Sequence, residues 1–133
     1  MNRQAVLWLR LSFWAGAILD LGAGLMMVFP GVFAFMNHPS VFRPGLDYRF
    51  AMGMGAPLMF AWTAVLLWAD RNPMGRKGIL PITLLVVAGE AATLVWGIVT
   101  GFIPLQPVLP TFSVQLLISA LFLFSYLKAR KLN

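Results

Sequence analysis

Four apolar stretches, each about twenty residues or longer, dominate this chain. They run from about Leu11 to Met36, Phe50 to Ala69, Ile79 to Phe102 and Val108 to Leu127. A helix of about 20 apolar residues crosses a hydrocarbon core of about 30 Å. In lipid every backbone N–H and C=O must find a partner within the protein, so only helices and closed barrels span it. No segment alternates polar and apolar residues as a barrel strand does. The sequence therefore predicts an all-α integral membrane four-helix bundle, with residues 1–133 forming a single transmembrane domain.

Composition agrees. The chain is 60% hydrophobic and 11% charged, against about 45–50% apolar and about 25% charged in soluble domains. A small soluble fold has too little interior to hide that excess. The formal charge of +6 would suggest nucleic acid in a soluble protein. Here the basic runs are short and flank apolar spans, which suits membrane lipids as partners and no nucleic acid. There is no cysteine and one histidine, His38. Disulfides, thiolate metal sites and a bis-histidine haem within one chain are excluded, and no cofactor or metal site is expected.

Arg3 and Arg10 before Ala15-Gly16-Ala17 resemble the start of a signal peptide. Only Leu11 to Trp14 separate Arg10 from that small-residue box, shorter than the roughly 7–15 residues of an apolar core region. An uncleaved first helix is expected. Pro30-Gly31 lies late in that span, where the helix should kink or end, leaving Val32 to Met36 near a membrane surface. Pro57 and Pro81 are expected near helix starts, where a missing amide costs little. Pro104, Pro107 and Pro110 are expected to mark the third loop.

Lys and Arg set the orientation. Arg3, Arg10, Arg71, Arg76, Lys77, Lys128, Arg130 and Lys131 fall on one side of the four-span map, and only Arg43 and Arg49 on the other. This bias predicts cytoplasmic amino and carboxyl ends. Trp8, Trp14 and Trp68 fall near the cytoplasmic boundary and Trp96 toward the other, at headgroup depth.

Two acidic residues lie deep in the spans. Asp20 sits between Gly16 and Gly24 at helical spacing, so a carboxyl lies at the centre of a small-residue stripe. Glu90 lies mid-way along the third span, with Thr83, Thr93 and Gly97 on its face. Ionisable groups in membranes normally face the protein interior or a water-filled cavity. Each residue reads either as a proton, cation or ligand site or as a hydrogen-bonded helix anchor. If the two meet, they form a candidate proton relay. Gln115, Ser119 and Tyr126 make a polar stripe on the fourth span, suited to interhelical hydrogen bonding. Asp20, Glu90, Thr83, Thr93, Gln115 and Ser119 are the candidate intramembrane site. His38, Arg43, Asp47 and Arg49 are the candidate outer-loop site, Arg49 being placed to pair with Asp47 or a headgroup phosphate. Met26, Met27, Met52, Met54 and Met59 are suited to an adaptable apolar pocket or to plain packing.

The size, the four spans and the opening Leu9-Arg10-Leu11 followed by Gly16 and Gly24 resemble the DoxX-like group of small bacterial four-helix membrane proteins. That resemblance implies a bacterial inner-membrane setting and covers the chain as architecture, with a motif only in the first helix. It transfers no site residue. Three functions follow in order of expectation. The first is an accessory or scaffold subunit packing against further copies or a larger membrane complex. The second is a binder or transporter of a small hydrophobic molecule or ion, proton-linked and centred on the carboxylates. The third is a membrane enzyme acting on lipid or quinone.

Overall fold

The structure, a computed structural model, describes residues 3–131. The described residues form five helices: α1 Arg3–Val28, α2 Pro30–Asn37, α3 Leu46–Asp70, α4 Ile79–Val99 and α5 Leu105–Arg130. All but α2 are long and apolar enough to cross a membrane. They carry apolar residues on every side, and Leu58, Leu85, Val99, Leu116 and Leu117 are all exposed. A helix apolar all round belongs in a core or a membrane. The chain is too small to bury these faces itself, and their length and composition suit a membrane.

The first apolar stretch becomes two helices. Pro30 sterically excludes the helical region for the residue before it, and Phe29 is extended, with φ −114° and ψ 92°. The chain restarts at once, because proline fits the first turn of a helix. The left-handed His38, φ 45°, ends α2, its N–H bonding to the Ala34 carbonyl at 3.0 Å.

Other expected boundaries move for backbone reasons. The second span starts at Leu46, just past Pro44-Gly45, and not where the apolar run begins at Phe50. Pro57 therefore lies deep inside α3 and not near its start. Pro81 does fall in the first turn of α4. That helix stops at Val99, short of Phe102, because Gly101 turns left-handed with φ 72°. The Phe102 amide then reaches back to the Gly97 carbonyl at 2.9 Å and the Gly101 amide to Ile98 at 3.0 Å, a C-cap that favours glycine. Of the three prolines expected in the third loop, only Pro104 lies outside the helix, as the N-cap of α5. Pro107 occupies the first turn, where amides have no intrahelical partner anyway. Pro110 lies inside α5 and forgoes one backbone bond.

Helix α1 is the centre. About a third (33%) of its most apolar stretch is buried, against 11% for α4. It packs along α3 and against α5, while α4 packs on α5 and α2 folds onto α1 and α5. Its buried residues Leu9, Phe13, Gly16, Ala17, Asp20 and Gly24 share one face. Gly16 lets α1 approach two buried side chains: a Cβ there would lie 2.9 Å from Phe122 and 3.0 Å from Leu66.

The tight core is confined to one end of the bundle. It joins Leu9 and Phe13 of α1, Leu66 of α3, Leu80 of α4 and Phe122 and Ala129 of α5. At this end Arg10 pairs with Asp70 at 3.2 Å, and Lys77 donates to the Ala129 carbonyl at 3.3 Å. The Arg76 guanidinium lies over the Trp68 ring and donates to the Trp68 carbonyl. Ser12 donates to Ser125 at 2.8 Å, and Ser125 to the Trp8 carbonyl at 3.2 Å, so two buried hydroxyls join α1 to α5. At the opposite end Ser40 is tied by its amide to the Phe102 carbonyl at 3.0 Å. The first and third loops thus share one end. The second loop and the outer ends of α1 and α5 share the other.

Candidate binding cavity

Where the tight core stops, the helices separate around a cavity of about 660 Å³. Every element contributes: Ala23, Met26 and Met27 from α1, Phe33, Met36 and Asn37 from α2, and Tyr48 and Met52 from α3. The α4 wall is Gly89, Glu90, Thr93, Leu94, Trp96 and Gly97, and α5 adds Thr111 and Gln115. Helices α3 and α4 cause the opening. They touch where the Trp62 indole donates to Thr83 at 3.2 Å, but no extended packing joins them. The break at Phe29–Pro30 has a matching effect, because it turns α2 away from the line of α1 and lays Phe33 and Met36 against the space.

Most of the lining is aliphatic, thioether or aromatic. Phe33, Phe42 and Tyr48 form an aromatic cluster, with ring centroids 5.1 Å apart for Phe33–Phe42 and 5.3 Å for Phe42–Tyr48. The polar groups are few. Glu90 is half-buried in the lining, with the Gln115 side-chain amide beside its carboxyl. Asn37 is buried but occupied, donating to the Phe33 carbonyl at 3.1 Å. Thr93 donates to the Gly89 carbonyl at 2.9 Å.

Asp20 is buried, at 7% exposure, one helical turn from the lining residue Ala23. Its carboxyl lies near enough to Glu90 for their charges to interact. Its Oδ2 has no hydrogen-bond partner, and neither has Oε1 of Gln115. Buried polar atoms are nearly always paired, so two unpaired acceptors near one carboxyl set the polarity of this space.

The predicted intramembrane residues divide. Asp20, Glu90, Thr93 and Gln115 gather at or beside the cavity. Thr83 does not: its hydroxyl donates to the Ile79 carbonyl at 2.9 Å and accepts from Trp62. It shares Glu90's face but lies about two turns, roughly 10 Å, away along the axis. Ser119 is also elsewhere, lining with Gln115 a smaller groove of about 310 Å³ between α4 and α5. Tyr126 packs against the tight core. Among the methionines, Met26, Met27, Met36 and Met52 line the cavity, Met59 is in the core and Met54 is exposed.

The outer-loop residues do not assemble. His38, Arg43, Asp47 and Arg49 are all exposed, and none lines the cavity. Among the described residues Asp47 and Arg49 form no ion pair. The Ser40 hydroxyl is held by the Gly101 carbonyl at 3.1 Å. Asn37 and Phe33 enter the site only because α2 folds back. A polar Asn closing an apolar run was the available signal for that fold. Comparisons with family models, curated proteins and solved structures give no match.

Proposed function

We propose that this chain is a binder or transporter of a small, mainly apolar molecule within a bacterial inner membrane, with both ends cytoplasmic and a DoxX-like architecture. The observation that carries the reading is the cavity. Its volume falls within the roughly 300–1,000 Å³ of small-molecule sites, and its character matches them: apolar walls with a few convergent polar groups. The unpacked seam between α3 and α4 offers entry from the lipid. Methionine-rich walls adapt to ligands of differing shape.

An accessory-subunit role is the second reading, supported by the exposed small residues Gly53, Ala61 and Ala64 on α3. It ranks lower because the small residues with the closest contacts, Gly16 and Gly24, pack inside the chain against Phe122 and Phe60.

Gly89→Phe tests the binding reading. A Cβ at Gly89 meets nothing within 4 Å, and the residue lines the cavity. The added ring should project into the space beside Glu90 and obstruct a ligand there without disturbing the fold. Native mass spectrometry of protein released from mild detergent should show a retained small apolar molecule on the wild type and none on Gly89→Phe, with the same helical circular-dichroism spectrum for both proteins. Equal ligand retention by both proteins would overturn the reading.

The orientation has its own test. A reporter fused after Asn133, outside the described residues, should read cytoplasmic, and one placed near Ser40 should read periplasmic. A periplasmic carboxyl end would refute the orientation.

A further inference from the structure

We propose that the molecule bound in the cavity is a lipophilic organic cation, held by the Glu90 carboxylate against an aromatic and methionine-lined wall. The proposal rests on the binding reading above and adds the ligand's charge.

The cavity's ionisable inventory is one-sided. Glu90 faces it from α4, and Asp20 on α1, outside the lining, brings a second carboxyl within range of the Glu90 charge. From α3 comes the Tyr48 phenol, while α2 and α5 present no ionisable side chain. No Lys, Arg or His appears among the lining residues. The ion pair among the described residues, Arg10–Asp70, lies at the other end of the bundle. A carboxyl in an apolar setting is either protonated or compensated by a cation, and no neighbouring side chain supplies a positive charge, which leaves that role to a ligand.

The unpaired atoms point the same way. Oδ2 of Asp20 and Oε1 of Gln115 are buried acceptors without donors. An anion would meet the Glu90 carboxyl and the Gln115 carbonyl dipole, with the Asp20 carboxyl one turn behind the lining, whereas a cation is attracted by each of these groups. Phe33, Tyr48, Trp96 and Phe102 add aromatic faces to the lining, and such faces attract cations in desolvated sites. The rest of the wall is mainly apolar, with Asn37, Tyr48, Thr93 and Thr111 as its other polar side chains, so a small hydrated metal ion would exchange a full water shell for few ligands. An organic cation with delocalised charge carries its own apolar surface.

Tetraphenylphosphonium and tetraphenylborate separate charge from shape, since they are nearly the same size and opposite in sign. Binding is measured by equilibrium dialysis on the purified full chain in mild detergent, after subtracting uptake by Gly89→Phe. The wild type should bind the phosphonium saturably and the borate not at all. Glu90→Gln should weaken phosphonium binding by about thirtyfold or more, the lower range for truncating one partner of a buried charge pair. Glu90→Asp, which keeps the charge, should retain most of the affinity and serves as the readout if the amide variant folds poorly. Equal binding of both ions, preference for the borate, or an unchanged phosphonium affinity in Glu90→Gln would overturn the cation assignment. So would absence of phosphonium binding. In each case the Gly89→Phe result on the retained apolar molecule decides separately whether the cavity binds ligand.

Discussion

Gly16→Leu should destabilise the protein by about 3 kcal/mol, the upper part of the usual range for overpacking a filled interior. Even a Cβ at position 16 would lie 2.9 Å from the Phe122 ring and 3.0 Å from Leu66, and both side chains are fully buried. Neither is open to solvent, so neither can swing outward to make room. A leucine would therefore push α1 away from α3 and α5 at the centre of the bundle. Gly24→Leu should cost less, because the ring it meets, Phe60, is only half-buried and has room to swing aside. The origin of the Gly16 effect can be checked with a second substitution. Phe122→Ala alone should cost about 3–5 kcal/mol as a cavity mutation, yet Gly16→Leu/Phe122→Ala should be less destabilised than the sum of its parts, because the leucine occupies the vacated space. Unfolding monitored in mild detergent measures all four proteins. Strict additivity would mean that Gly16 and Phe122 do not pack against each other.

Removing both intramembrane carboxyls should leave the fold and abolish ligand recognition. Asp20→Asn with Glu90→Gln replaces each group by an amide of nearly the same size. Asp20 Oδ2 has no hydrogen-bond partner to lose, and the Gln115 amide remains beside position 90. The double variant should express and melt like the wild type. Its affinity for tetraphenylphosphonium should fall by at least about a hundredfold, within the range for buried charge pairs. Asp20→Asn alone should have the smaller effect, since Asp20 is not among the residues lining the cavity. The opposite pattern, a large loss of stability with unchanged binding, would make the carboxyls helix anchors and remove them from the site.

The two carboxyls show how far a linear reading reaches. Asp20 was legible as an interior residue because its neighbours at helical spacing, Gly16 and Gly24, are small. Glu90 was legible because an exposed carboxyl at that depth would be costly in lipid. Gln115 was visible as part of a polar stripe, but not as the residue beside Glu90, because the rotation of α5 against α4 that brings them together is set by packing and not by either helix's own pattern. Thr83 was grouped with Glu90 because helical periodicity reports a face and not a depth. Its actual partner, Trp62, belongs to another helix. Ser12 and Ser125 went unremarked for a related reason: isolated serines are common in apolar helices, and only the α1–α5 contact joins these two.

Sequence alone determined the solvent this chain is made for and the number of its long helices. Both follow from local quantities: apolar length against bilayer thickness, and the obligation to pair every backbone group within the segment. It also located the break at Pro30, because proline's steric effect on the preceding residue is local. The cavity was decided only by tertiary structure. It exists because α3 and α4 touch at Trp62–Thr83 without packing along each other, while α2 folds back against α1 and α5. In lipid an apolar residue has little preference between a neighbouring helix and an acyl chain. Hydropathy therefore does not say which apolar residues pack tightly and which line a space. That choice rests on shape: Gly16 admits two fully buried side chains, Phe122 and Leu66, whereas Gly89 faces open space on the cavity wall.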